Sequence, residues 1–190
     1  RLFSGILVLC PLGSKSPWDH WAKGQIEYLA GRKIVNGKEN GMFQPDALVT
    51  REEFVKMCVL AFGLTDGDQN VKDFTDIGEY DWCKEYIDIA QSCGVISGQG
   101  DVFGIGEAIS REDMAIILSR ILEYKGIQPD TVNENVYFTD EDQISDYALE
   151  ATRQMGAYGY LEGFPDGSVR PKENATRAQA AALLFKMLEG

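Results

Sequence analysis

The sequence is poor in the residues that enzymatic and metal chemistry most often uses. It has one histidine, His20, and four cysteines, Cys10, Cys58, Cys83 and Cys93. No two cysteines stand in the C-x-x-C spacing of a zinc site, so no metal ion and no cofactor is expected. Nothing resembles a dense disulfide framework, and Cys58, inside the apolar stretch 54–60, reads as a buried free thiol. There is no phosphate-binding glycine loop, no serine nucleophile elbow and no H-E-x-x-H. No apolar run reaches the roughly 18–20 residues of a transmembrane helix, so no membrane insertion is expected. Basic side chains are also scarce, 18 against 30 acidic ones, for a formal net charge of −12. That balance counts against nucleic acid, whose backbone is held mainly by Lys and Arg, and against an anionic membrane surface.

The abundant carboxylates mark no active site. Asp66-Gly67-Asp68-Gln69-Asn70 begins like a calcium loop, but Val71 stands where glycine is needed and no glutamate closes it. It reads as a solvated linker. Asp140-Glu141-Asp142 reads as a charged loop or first helical turn. No pair of carboxylates is singled out as a glycosidase pair would be. No catalytic residue is expected.

What is present is enough for a packed core: 44% hydrophobic and 11% aromatic residues in a chain of 190. The start of the chain looks foreign to the rest. Leu2 to Leu9 resembles the core of a truncated secretion signal, and Pro11-Leu12-Gly13-Ser14 the scar of a cleaved expression tag. Residues 1–15 are therefore read as a tag remnant in preference to a truncated signal, and left out of the fold.

The remainder repeats itself three times. Trp21, Trp82 and Tyr147 are 61 and 65 residues apart. Sixteen residues after each stands a glycine, Gly37, Gly98 and Gly163, and 29 or 30 residues after each an arginine, Arg51, Arg111 and Arg177. The units are placed at 16–66, 67–130 and 131–190. Each reads as helix, loop, helix. The first helix runs from the aromatic anchor through Ile26 and Leu29, or through Tyr86, Ile89 and Ala90. It leads into a turn rich in glycine, with Asn40-Gly41 in the first unit and Asp166-Gly167 in the third supplying positive-φ positions.

The second helix opens on Thr50-Arg51-Glu52-Glu53, Ser110-Arg111-Glu112-Asp113 or Thr176-Arg177-Ala178-Gln179. The first and third are capping boxes, and Asp113 is a shorter substitute in the second. Beyond its first turn this helix is apolar on nearly every side, as a buried helix must be. Three such helices imply an all-α fold around a central three-helix bundle. Units of this size are marginal alone, so the three should fold together.

Capping does not explain the arginine. A cation in the first turn opposes the helix dipole. Three in register point either to an anion held jointly with the helix N-terminus, or to pairing with an acidic neighbour.

At these residues a family becomes recognisable. Phe-x-Asp, tryptophan, an apolar helix, a glycine-rich turn with Phe and Pro, then Thr-Arg-x-Glu resembles the S-layer homology (SLH) domain, here as a triplet over about residues 17–190. The resemblance implies a pseudo-threefold, three-pronged spindle whose motif-bearing helices form the central bundle. It also implies non-covalent, non-enzymatic anchoring of an exported protein to the cell wall of a Gram-positive bacterium. The implied ligand is an anionic secondary cell-wall polysaccharide carrying a pyruvylated amino sugar, bound in grooves between adjacent prongs. The implied setting is extracellular, in the wall or S-layer, with the chain a monomeric module of a larger surface protein. Carried over by position, the ligand-binding residues are Arg51, Arg111 and Arg177; Gly37, Gly98 and Gly163; Trp21 and Trp82; and Asp76 and Asp140.

The copies depart from the pattern. The first has no clear Phe-x-Asp before Trp21, where Trp18-Asp19 is a possible substitute, and the second has no proline in its turn. The third has Tyr147 for tryptophan and Gln179 for glutamate. Net charge runs −1, −8 and −5 through the three units. An anion is repelled least at the first, so a groove containing Arg51 is expected to be the strongest, with those near Arg111 and Arg177 weaker. The alternative reading is a protein–protein or surface-array module, in which the exposed aromatic residues dock a partner.

Overall fold

The computed structural model describes residues 20–38, 41–68, 70–79, 81–97 and 100–189. The N-terminal segment, Trp18-Asp19, Asn40 and Gly98 lie outside the described residues. Among the described residues six α-helices succeed one another: α1 Lys23–Gly31, α2 Arg51–Phe62, α3 Lys84–Ser92, α4 Arg111–Lys125, α5 Leu149–Ala157 and α6 Arg177–Glu189. Among the described residues there is no strand. The first helix of each unit has nine residues and no side-chain cap, too short to persist without packing.

The packing is cyclic. Helix α3 packs on α2, α5 on α4, and α6 returns to α1, while α2 also touches α4 and α6. The first helix of each unit thus lies on the second helix of the unit before it. The central helices bury side chains on most of their surface: Phe54, Val55, Met57, Cys58 and Val59 in α2, and Met114, Ala115, Ile117, Leu118, Ile121 and Leu122 in α4. Helix α6 buries Ala178, Ala180, Ala181, Leu184 and Met187. Cys58, Cys83 and Cys93 are buried free thiols, and burial pushes the Cys58 thiol well above its ordinary range.

The segments entering the central helices close a ring of backbone hydrogen bonds. The Ile109 amide donates to the Val49 carbonyl (3.1 Å), Val49 to Ala175 (3.0 Å), and Ala175 to Ile109 (3.0 Å). All three residues are fully buried, so each bond satisfies backbone groups that water cannot reach. The three units are joined at one point as a closed cycle.

The capping boxes of α2 and α6 form. The Glu53 amide donates to Thr50 Oγ1 and the Thr50 amide to Glu53 Oε2; Gln179 and Thr176 repeat the exchange. In α4, Ser110 caps the Asp113 amide, while the shorter Asp113 side chain turns to Arg51.

The first helices correct the sequence reading. They begin two residues after the aromatic anchors, and their buried stripes are Ala22, Ile26 and Leu29; Cys83, Ile87 and Ala90; and Ala148, Thr152 and Met155. Ile26, Leu29 and Ala90 are buried as expected, whereas in the second unit Cys83 and Ile87 take the place of the expected Trp82, Tyr86 and Ile89. Small and aliphatic residues fit the close approach to the central bundle. The anchors are turned outward instead, with Trp21, Trp82 and Tyr147 being 61%, 54% and 65% exposed.

Candidate ligand-binding site

The tetrad arginines do not serve their own units. Each reaches into the turn of the next unit around the ring. Arg51 Nε donates to the Phe103 carbonyl (3.1 Å), Arg111 Nε to the Val169 carbonyl (2.7 Å) and Arg177 Nε to the Phe43 carbonyl (2.9 Å). The second terminal nitrogen, Nη2, donates to Asn36 O from Arg177 and to Glu162 O from Arg111. Each guanidinium also lies over a phenylalanine ring, that of Phe103, Phe164 or Phe43.

These carbonyls are presented by a sharp reversal. The residue after each is in the left-handed region: Gln44 at φ 53°, Gly104 at 89° and Arg170 at 51°. Asp76 clamps the second reversal, accepting from the Phe103, Gly104 and Ile105 amides at 2.7–3.0 Å. Asp140 accepts from Val169 and Arg170, both at 2.8 Å, in the third. The two aspartates expected at the ligand thus direct their oxygens to the turn that holds the arginine.

The expectation that arginine and helix N-terminus hold an anion together meets an occupied N-terminus. The amides of Arg51, Arg111 and Arg177 donate to Glu107 O, Glu173 O and Ala47 O, and those of Glu112 and Ala178 to Pro171 O and Pro45 O. With the next amides capped by Thr or Ser, the first-turn amides of α4 and α6 are satisfied within the protein, as are those of Arg51 and Glu53 in α2. What remains for a ligand at Arg111 and Arg177 is side chain.

The expected pairing with acidic neighbours is present at two of the three arginines. Arg51 Nη1 lies 2.8 Å from Asp113 Oδ2, and Arg177 Nη1 lies 3.0 Å from Glu53 Oε2. Arg111 has no ion pair among the described residues; the corresponding position is Gln179. Arg177 is the most enclosed of the three, at 5% exposure.

Two grooves open beside these networks. The first, about 330 Å³, is lined by Arg177, by Ile34 to Lys38, by Glu53, Lys56 and Met57, and by Trp82. It therefore combines residues of all three units. Its three cations, Lys38, Lys56 and Arg177, face one carboxylate, Glu53, to which Lys38 pairs at 2.9 Å. Lys56 is held by ring faces, its Nζ 5.2 Å from the Trp82 centroid and 5.4 Å from that of Tyr86. Gly37 is on the wall, and a Cβ there would stand 2.5 Å from the Gly41 backbone, so only glycine fits the close turn. The second groove, about 480 Å³, holds Arg51 and Arg120 against Asp113, with Phe103 and Tyr147. On the far side of Trp82 a depression lined by Asp66, Glu79, Asp81, Glu85 and Asp88 repels anions.

The arginine in the groove lined mostly by first-unit residues is Arg177 and not Arg51, because the arginines cross between units. Lys56 is a groove residue that the motif positions do not include. Its signal in the sequence is that, after the first turn of α2, it is the only charged residue in the helix.

Several carboxylates are held ionised. Burial alone raises Glu53, but Arg177, Lys38 and the Thr50 amide outweigh it and lower its pKa. Glu112 is likewise raised by burial and lowered further by Lys172 and Ser145, and Asp76 is raised by burial and lowered further by three turn amides. A folded-state pKa below the unfolded one stabilises at higher pH and is lost as pH falls through it. Stability is therefore expected to drop as pH falls below the ordinary values of 4.5 for Glu53 and Glu112 and 3.8 for Asp76. Urea midpoints measured between pH about 6 and about 3 check this, and Glu53→Gln should flatten the slope.

A helical triplet closed into a ring, with grooves that each draw on several units, is a binding module. Its family is shown by comparison: the model of the S-layer homology domain matches residues 15–55, 73–115 and 137–181, and the chain belongs to that family. It is 34% identical over 90% of its length to an amylopullulanase of Thermoanaerobacterium thermosulfurigenes, and 33% over 90% to exoglucanase XynX of Acetivibrio thermocellus. It is 28% identical over 90% to an S-layer protein of Bacillus thuringiensis subsp. finitimus. The chain spans only 9%, 16% and 20% of those three proteins. S-layer homology domains anchor surface proteins to the cell wall, and the chain is a module of the Gram-positive cell surface.

Proposed function

We propose that the chain anchors a larger exported protein by binding an anionic, pyruvylated amino sugar of the secondary cell-wall polysaccharide, and that it has no catalytic activity of its own. The observation that carries this is the first groove: three cations to one carboxylate, beside a half-exposed tryptophan. Lys56 meets the ligand carboxylate, Trp82 packs against the pyranose face, and Arg177 on the floor sets the field. Gly37 keeps the turn low enough for the sugar to approach. Arg51 heads the second groove, and Arg111, Gly163 and Trp21 are the corresponding motif positions of the remaining pair of units. Asp76 and Asp140 contribute by fixing turns. The parent protein's other domains supply whatever further activity it has, as the enzyme names of the relatives illustrate for those proteins.

Sedimentation with purified walls tests the reading. Binding is expected to native walls and not to walls chemically stripped of pyruvyl groups. Lys56→Met is expected to weaken binding roughly tenfold, the worth of one partly desolvated charge-assisted contact. Binding that is indifferent to stripping would instead support docking to a protein partner. Release of reducing sugar from the wall would contradict the non-enzymatic reading.

A further inference from the structure

The two grooves are built alike, position by position, and part company at a few side chains. Each takes a tetrad arginine from the preceding unit of the ring, Arg177 in the first and Arg51 in the second. Each pairs it with the acid of the fourth tetrad position, Glu53 or Asp113. The stretch Ile34-Val35-Asn36 of the first groove has its counterpart in Val95-Ile96-Ser97 of the second, and Met57 in Ile117. Five residues into the central helix the match ends. Lys56 lines the first groove, and Ile116 lines the second at the same position. Trp82 is replaced by Tyr147. In the sequence Gln99 holds the position of Lys38, so that cation is missing too.

The charges that remain in the second groove are engaged. Arg51 Nη1 lies 2.8 Å from Asp113 Oδ2, and its Nε donates to the Phe103 carbonyl. The Tyr147 hydroxyl donates to Glu112 Oε1 at 3.2 Å and lies 3.5 Å from Asp113 Oδ1, which fixes the ring beside the ion pair. Arg120 is the other cation on the wall. It stands four residues beyond Ile116, about 6 Å further along the helix axis, so it does not restore the charge of Lys56 in its place. Arg120 Nη1 donates to the Val95 carbonyl at 3.4 Å, a bond that uses one of the five donors of a guanidinium.

We propose that the second groove binds an uncharged N-acetylated amino sugar, and that Ile116 is the residue that sets this preference for neutral over anionic sugar. The proposal rests on the reading of the chain as a polysaccharide anchor and deepens it: the two grooves take sugars of different charge. An acetamido group is half apolar and half polar, as this groove is. Its methyl lies against Val95, Ile96, Ile116 and Ile117, its carbonyl accepts from Arg120, and the exposed Tyr147 ring packs on the pyranose face. A ketal carboxylate in the same place meets the Ile116 side chain where the first groove has an ammonium. It gives up water without a partner in return, or competes with Asp113 for Arg51.

The test is a titration of the whole chain, labelled at isoleucine methyls and arginine nitrogens, followed by NMR. Three methyl glycosides are used: an N-acetylhexosamine, its pyruvylated form, and the parent hexose without the acetamido group. Signals are assigned through Ile116→Leu, Ile117→Val, Arg51→Lys and Arg177→Lys. The Ile116 and Ile117 methyls are expected to shift saturably with the plain N-acetyl glycoside, roughly tenfold more weakly with the pyruvylated one, and not with the hexose. Ile116→Lys installs the side chain that the first groove carries at this half-buried position. It is expected to reverse the preference, with the pyruvylated glycoside now moving the Arg51 Nε signal at roughly tenfold lower concentration. Isoleucine methyls that respond equally to the two N-acetyl glycosides, respond as well to the hexose, or respond to none overturn the proposal. An unchanged preference in Ile116→Lys overturns it too. The anionic-sugar reading is judged separately at the first groove: it falls if the pyruvylated glycoside leaves the wild-type Arg177 Nε signal unmoved.

Discussion

A chain ended at Asp130 is expected to lose cooperative unfolding altogether, although two complete units remain. In a linear repeat array, removing a terminal unit deletes one interface and leaves the rest standing. Here the third unit has two neighbours. Helix α6 covers α1 and also touches α2. Ala175 is one corner of the backbone triangle, so its loss orphans the Val49 amide and the Ile109 carbonyl together. The Arg111 and Glu112 amides lose Glu173 and Pro171, and the first unit's turn loses Arg177. Ala22, Ile26 and Leu29, all fully buried, would be left without the helix that covers them. Re-exposing a large aliphatic side chain costs about 1.5–3 kcal/mol. Two or three such residues and several orphaned amides consume the roughly 5–15 kcal/mol that holds a domain together. Thermal melts followed by circular dichroism, with dispersion of amide signals, check the result. A sharp transition retained by residues 20–130 would mean that the units are independent.

Most of the fold was legible because its determinants are local and come three times. A capping box, a helix apolar on all sides and a glycine-rich turn each declare themselves within a few residues, and the register of Gly37 with Gly163 and of the three arginines fixed the unit. The face of the short helices was legible only in part, with Ile26, Leu29 and Ala90 buried as read. Trp82-Tyr86-Ile89 and Cys83-Ile87-Ala90 have the same helical spacing, and side-chain size favours the aromatic set. The close approach of the bundle favours the small one. Nor was the crossing of the arginines legible. Spacing along the chain says which unit a residue belongs to, but ring closure decides which unit it touches. Arg51 therefore appeared to belong to the first unit's groove when the residue in that place is Arg177. The aspartates illustrate a further limit. Phe-x-Asp marked Asp76 and Asp140 as important, and only the backbone shows that their oxygens face turn amides. Lys56 was the one charged residue inside an apolar helix, a departure from pattern of the kind that functional positions often show.

Arg177→Ala is expected to be the most damaging single substitution among the three arginines, at about 3–5 kcal/mol of unfolding free energy. Its guanidinium is nearly enclosed, and it bonds two carbonyls and one carboxylate. Truncation leaves the Phe43 and Asn36 carbonyls without their donor and Glu53 with Lys38 and the Thr50 amide. An unmet buried acceptor costs about 1–3 kcal/mol, and two are left here, while Glu53 loses the nearly enclosed one of its two cations. Arg51→Ala should cost less, about 1–2 kcal/mol, because the side chains of Arg51 and Asp113 keep 16% and 21% of their surface in solvent. Arg111→Ala should also cost about 1–2 kcal/mol, since it orphans two carbonyls but leaves no carboxylate unpaired. Arg177→Lys separates charge from geometry. A lysine restores a cation near Glu53 but cannot donate in the planar fork that serves both carbonyls, so it should recover only part of the loss. Urea unfolding at neutral pH measures the series through midpoint shifts at constant slope. Equal losses at all three arginines would show that the carbonyl bonds, which all three share, carry the stability and that the acid at the fourth tetrad position adds little.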